Sequence, residues 1–244
     1  TYVVEPGGLL LLVKNRDALV ARYGQTPAIA GVYTGALNDQ GDSLRLVDAF
    51  DNELLELTYN NRWHPATDGF GFTLVRADGG VGDSSRYHWR ASSATGGSPG
   101  ADNPAAPALP LILVNEVLAS STGNQQDTIE LLNRSGGLAD VGGWFLTDDR
   151  SQPKKYRIPT NTKISAGGFL VITEKDFNAN AQGTNAFQLS SRGDEAWLFA
   201  ADAAGNLLGY SHGFSFDASE AGVSFGRHLL STGKEVFPAQ KALS

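Results

Sequence analysis

The sequence predicts an all-β protein made of β-sandwiches in tandem, and three observations predict it. Apolar and alternating stretches of strand length recur along the chain, each closed by glycine, proline, asparagine or aspartate. Glycine is abundant, with 29 residues in 244, and charged residues make up only 18%, below the ~25% of an ordinary soluble domain. The chain also repeats itself. "PGGLLLLVKNRDAL" at 6–19 and "AGGFLVITEKDF" at 166–177 share a small residue, two glycines, an apolar run and a charged break.

The elements follow in order. In the first half "GLLLLVK" (8–14), "DSLRLVD" (42–48) and "ELLELTY" (53–59) read as strands. "RDALVARYG" (16–24) reads as a short helix, with Gly24 as its left-handed stop. In the second half "LILVNEVLA" (111–119) is an apolar run fit for a buried strand, and "DTIELLN" (127–133) alternates, with Ile129 and Leu131 opposite Glu130. "GGWFLTDD" (142–149), "GGFLVIT" (167–173), "EAWLFAA" (195–201) and "LLGYSHG" (207–213) continue the series, with Gly205-Asn206 as a tight turn between the last two. Without helices alternating between them, such strands predict sandwiches. "GGSPGADNPAAPALP" (96–110) supplies a Gly/Pro/Ala-rich linker. The expected organisation is a first sandwich over 1–96, a linker over 97–110 and a second sandwich over 111–244.

The repeat extends beyond the opening phrase. Leu37, Gly41, Asp42 and Leu46 stand against Leu189, Gly193, Asp194 and Leu198 at one constant separation. "NELL" (52–55) then meets "GNLL" (205–208), and "GFTLVR" (71–76) meets "GVSFGR" (222–227). In the second half residues 111–165 precede the Ala-Gly-Gly phrase, whereas in the first half only residues 1–5 precede Pro6. The first sandwich is therefore expected to lack its first strands, those corresponding to "LILVNEVLA", "DTIELLN" and "GGWFLTDD". Their absence would uncover an apolar face, which another polypeptide or a missing part of the same one would fill.

Composition excludes several classes. A net charge of −7, with no basic run longer than Lys154–Lys155, excludes nucleic acid as the main partner. The absence of cysteine removes disulfides, thiolate metal sites and cysteine nucleophiles together. No apolar run reaches the ~18 residues of a membrane span.

A resemblance emerges from the ordered markers of the second half. Asn115-Glu116, Ile129-Glu130-Leu131 with Asn133, Gly143-Trp144 with Leu146, Ile158-Pro159, Gly167-Gly168 and Leu189 with Gly193-Asp194 look like a lamin-tail domain of the bacterial secreted type. The first half resembles the later part of the same module, including "GSPGADN" (97–103). The resemblance implies tandem immunoglobulin-like β-sandwiches, a truncated copy followed by a nearly complete one. It implies a secreted or cell-surface location.

The candidate residues each have a structural reading. Trp144 and Trp197 alternate with apolar neighbours, as core residues do. Glu116 and Glu130 form a possible carboxylate pair, which adjacent strands would occupy in cross-strand bonding. Asp127, Asp148 and Asp149 are the carboxylates open to a calcium ion, though no Asp-x-Asp-x-Asp-Gly loop is present; no other metal or cofactor is expected. His64, His88, His212 and His228 lack the spacing of metal ligands, and no Gly-x-Ser-x-Gly elbow occurs. Trp63 and His64 in "NNRWHPATDGFG" (60–71), with Trp89 in "RYHWR" (86–90), are the candidate ligand contacts. The expectation is a non-catalytic interaction or spacer module of a larger secreted or surface protein, binding a protein or polysaccharide surface. The alternative is an accessory part of a multidomain extracellular enzyme.

Overall fold

The stretches that glycine and proline punctuate assemble into two units, Thr1–Pro107 and Ala108–Ser244, in a computed structural model that describes residues 3–24, 29–77, 84–180, 183 and 185–240. The all-β prediction holds: the described helical segments are few and short.

The first unit contains β1 (Leu11–Val13), α1 (Arg16–Tyr23), β2 (Ile29–Val32), β3 (Gly41–Val47), β4 (Glu53–Asn60), β5 (Leu74–Arg76) and β6 (Trp89–Ala91). The helix starts where Asn15 Oδ1 accepts the Ala18 N–H at 2.9 Å, and it stops at Gly24, whose φ is +77°. Here the structure departs from a pure sandwich pattern. β1 and β2 pair in parallel across α1, a small crossover unit, while β3–β4 and β5–β6 are antiparallel pairs. The segment after the linker glycines belongs to this unit: Arg90 and Ser93 both donate to the Pro104 carbonyl, at 2.7 Å each. Among its described residues the buried apolar set is small, comprising Val13, Leu57, Pro65, Ala66, Phe72 and Ala91.

The second unit is a sandwich of antiparallel strands. One sheet carries the order β13-β8-β7-β16-β19: β7 (Ile112–Leu118), β8 (Thr128–Asn133), β13 (Phe169–Thr173), β16 (Ser224–Gly226) and β19 (Ala239–Gln240). The other carries β11-β10-β14-β15: β10 (Phe145–Thr147), β11 (Tyr156–Arg157), β14 (Gly193–Ala201) and β15 (Leu207–Asp217). Two-stranded pairs β9 (Ala139–Asp140) with β12 (Lys163–Ile164), and β17 (His228–Leu229) with β18 (Glu235–Val236), close the ends, and a short α2 (Glu174–Phe177) follows β13. Ile112, Val114, Val117, Ile129, Leu131, Trp144, Leu146, Leu198 and Phe214 are among the side chains of one continuous core between the sheets. Trp197, also buried, lies on the opposite face of β14, where its backbone and ring both crowd Gly213: a Cβ there would meet Trp197 Cα at 2.7 Å and Cδ2 at 2.8 Å.

Two strands differ in length from their sequence expectation. "GGWFLTDD" keeps only Phe145–Thr147 as strand, because Gly143 turns with φ +88° and the Thr147 hydroxyl bonds forward to the Asp149 and Gln152 carbonyls. β15 runs on to Asp217, held throughout by β14. Asn133, fully buried, explains its place among the markers. Its amide donates to the Gly137, Ile164 and Ser165 carbonyls, tying β8 to the turn ahead of β13.

Candidate functional site

The two long hairpins, β3–β4 and β14–β15, are built alike, atom for atom, at both ends. At the open end Gly41 and Gly193 take φ +144° and +112°, and in each case the facing strand leaves no room for a side chain. A Cβ on Gly41 would meet the Tyr59 carbonyl at 2.6 Å, and one on Gly193 the Phe216 carbonyl at 3.2 Å. The next residue caps the loop: Asp42 accepts from the Asn38 and Ser43 N–H groups, Asp194 from those of Ser190 and Glu195. At the closed end Asp48 accepts from the Asn52 backbone and side-chain amides at 2.9 and 2.8 Å. Asp202 does the same with Asn206, at 2.8 and 2.9 Å. These bonds hold the Asp48 and Asp202 carboxyls below the usual carboxylate range. The Gly-Gly phrase repeats too, since Gly8 bonds back to Glu5 and Gly168 back to Ser165, with Gly7 and Gly167 at φ +74° and +69°.

What surrounds the two hairpins differs. In the second unit β14 pairs with β15 on one side and β10 on the other, with Leu146 opposite Leu198 and Thr147 opposite Trp197. Tyr210 and His212 of β15 bond to the Ile112 carbonyl and the Val114 N–H of β7, and Ala196 and Leu198 are sealed. In the first unit β3 pairs with β4 alone, and among the described residues no strand lies along its other edge. Leu46 is 51% exposed against 0% for Leu198, Leu44 41% against 0% for Ala196, and Leu37 47% against 7% for Leu189. Leu12, Val32, Phe50 and Leu54 are exposed as well. β1 has also changed partner: its counterpart β13 lies antiparallel to β8, whereas β1 takes β2.

The expected ligand contacts sit in one region of the first unit. His64 Nε2 bonds the Arg86 carbonyl at 3.1 Å, which draws the 60–71 loop to the segment before β6. Burial pushes the His64 imidazole down to about 4, so it is neutral near neutral pH. Trp89 lies half-buried on β6 beneath Arg76, whose guanidinium carbon is 5.3 Å from the ring centroid, and Trp63 is half-buried in the loop. Thus His64 and Trp89 each contact another residue of the first unit, Arg86 and Arg76 respectively.

In the second unit Glu116 and Glu130 do stand opposite each other across β7 and β8. Asn115 donates to Glu130 at 2.8 Å, while burial, and then the Glu116 charge, raise the Glu130 carboxyl. The three aspartates do not converge. Asp148 is paired with Lys155, Asp149 accepts from Ser151 and Gln152, and Asp127 accepts from the Ser121 N–H. Among the described residues no three acidic or histidine groups gather as a metal site requires. His212 Nδ1 accepts the Val114 N–H, leaving its proton on Nε2, 3.3 Å from Glu235, which Arg227 also holds at 2.5 Å. A cleft of about 510 Å³ gathers Lys154, Lys155 and Arg157 around Phe145, with Arg157 5.7 Å and Lys154 6.0 Å from its centroid. Sequence reading met the cations of this cleft only as the longest basic run. An uncovered apolar face was expected in the first unit, and Leu44 and Leu46 of β3 are among its exposed apolar side chains.

Residues 105–214 match the family model of the Lamin Tail Domain, an immunoglobulin-like fold. The match covers β7 to β14 and most of β15. Comparisons with curated proteins and with solved structures find no match.

Proposed function

We propose, from the lamin tail domain in the second unit, that this chain is a non-catalytic interaction module of a larger secreted or cell-surface bacterial protein, and that it binds a protein partner through its first unit. The first unit is read as a second copy of the same module. One observation carries this. The hairpin shared by both units is sealed in the second and exposes its inward leucines in the first, as a surface meant for cover does. The residues that might have suggested chemistry, Glu130, His64 and His212, are bound into the framework. A second reading concerns carbohydrate: the Lys154–Arg157 cleft, positive in a chain of net charge −7, suits an acidic sugar polymer.

The test has two arms. Assays against nucleic acid, esters and polysaccharides stay at background; turnover abolished by Glu116→Gln or Glu130→Gln would overturn the reading. An environment-sensitive apolar dye brightens with the native chain and loses most of that signal with Leu44→Lys/Leu46→Lys. A signal unchanged by those substitutions would place the apolar surface elsewhere.

A further inference from the structure

Two cations of the second unit stand apart from their neighbours. Arg150, Lys155 and Arg227 each pair with a carboxylate, those of Glu195, Asp148 and Glu235. Lys154 and Arg157 have no such partner among the described residues, yet both lie against one ring, that of Phe145. Arg157 is nevertheless fixed in place. Its Nη2 donates to the Ala203 carbonyl at 2.7 Å and its Nε to the Gly143 carbonyl at 3.4 Å. These neutral acceptors position the guanidinium without cancelling its charge. Another wall of the cleft around Phe145 is the β14–β15 turn, where Ala204 and Gly205 stand. The matching turn of the first unit carries Phe50 and Asp51, and Asp51 takes φ +63° there against +82° for Gly205. The backbone of this turn therefore does not by itself demand small residues. In the second unit they leave about 510 Å³ open beside Phe145, whose Cζ a Cβ on Gly205 would meet at 3.7 Å.

We propose that this cleft binds an acidic polysaccharide whose carboxylates alternate with uncharged sugar rings. The proposal rests on the carbohydrate reading of the same cleft and adds the spacing of charge. Lys154 and Arg157 take one carboxylate, and because Arg157 is held beforehand, little of its side-chain freedom is lost on binding. Tyr156 lines this cleft and also a second one, of about 360 Å³, which contains Asp176. Burial and then the Asp176 charge raise the Tyr156 hydroxyl, which puts that carboxylate close by. A polymer that continues past Tyr156 thus passes from positive to negative surroundings. A carboxylate on its next ring would be repelled, whereas an uncharged ring finds the Tyr156 hydroxyl as a hydrogen-bonding partner. β11, the edge strand here, has two residues, too few to seat an acidic peptide as an added strand. Nucleic acid would bring a phosphate on every nucleotide to the same Asp176.

The probe is a fluorescent hyaluronan octasaccharide, in which an acidic sugar alternates with an uncharged one, titrated with the full chain at low salt. The expected result is saturable binding at least tenfold tighter than to an octamer of polygalacturonate, which is charged on every ring. Lys154→Glu should weaken it at least tenfold. Ala204→Phe/Gly205→Asp should do the same, since it installs the turn with which the first unit already folds; circular dichroism checks that both variants are folded. Polygalacturonate bound as tightly as hyaluronan would overturn the spacing and leave the carbohydrate reading standing. Binding of neither polymer would overturn both. Affinity unchanged in both variants would overturn the proposal by placing the site elsewhere, and poly-glutamate bound as tightly as hyaluronan would overturn it in favour of an acidic protein partner.

Discussion

Leu46 and Leu198 occupy one position in two hairpins that share their opening glycine, their capping aspartate and their closing Asp–Asn turn, yet Leu198 is sealed and Leu46 stands half in solvent. The difference lies outside the hairpins. β14 has β10 beside it and β7 across from it, and β3 has β4 alone among the described residues.

Truncation at the two positions should therefore cost different amounts. Leu198→Ala removes a fully buried side chain and is expected to destabilise the second unit by about 2–5 kcal/mol. Leu46→Ala is expected to change the first unit by less than about 1 kcal/mol in the isolated chain. Urea unfolding followed by amide exchange in each hairpin separates the two. A loss of similar size at both positions would contradict the exposure of Leu46.

The first unit should weaken on mild acidification. His64 has a folded value of about 4, below its usual value near 6.5, so the unfolded chain binds the proton more readily. Stability from this group is full above about pH 6.5 and falls as pH drops toward 4, by on the order of 3 kcal/mol in total. His64→Gln should flatten the pH dependence of the first unit in that window. Thermal melts at pH 7, 5.5 and 4.5 on both proteins measure it, and parallel curves would count against a buried, neutral His64.

Glu130→Gln should stabilise the second unit at neutral pH. The Glu130 carboxyl is raised by burial and by Glu116, so ionised Glu130 costs stability above its folded value, and that cost vanishes in acid, where both states are protonated. Glutamine keeps an oxygen for the Asn115 amide and removes the like-charge pair, a gain of up to about 1 kcal/mol. The gain should be present at pH 7 and absent at pH 3. A destabilised variant at pH 7 would mean that the carboxylate has a favourable partner.

The β17–β18 end of the second unit should open in strong acid. Burial pushes the Glu235 carboxyl up, but its contacts with His212 and Arg227 pull harder and hold it at about 2. Its contribution is complete above the usual carboxylate range and is lost as pH falls through about 2. Amides of 228–236 should exchange faster than the core below that range, and Glu235→Gln should produce the same local opening at pH 7. Exchange in step with the core under both conditions would show that Glu235 is not the latch.

Much of the architecture was legible because it is local. The matched Gly41 and Gly193 mark the repeat, Gly205-Asn206 announces a tight turn, and alternation in "DTIELLN" announces which side is buried. Markers such as Asn133 could be recognised in order, although only the fold reveals that its amide reaches three carbonyls on two separate segments. Gly213 carries no such signal, since what excludes a side chain there is Trp197 on the neighbouring strand. The candidate contacts stand in polar surroundings in the sequence, and only the fold brings His64 to the Arg86 carbonyl and Trp89 under Arg76.

The sequence by itself determined where most of the long strands fall, how the β14–β15 hairpin turns, and that one pattern occurs twice, since each depends on a few adjacent residues and their allowed dihedrals. An uncovered face in the first copy was expected from the repeat, but the tertiary structure alone decided which side chains stand on it. Whether a leucine is core or surface depends on what lies 5–10 Å away across a sheet or between sheets, and no residue of β3 records the presence or absence of that neighbour.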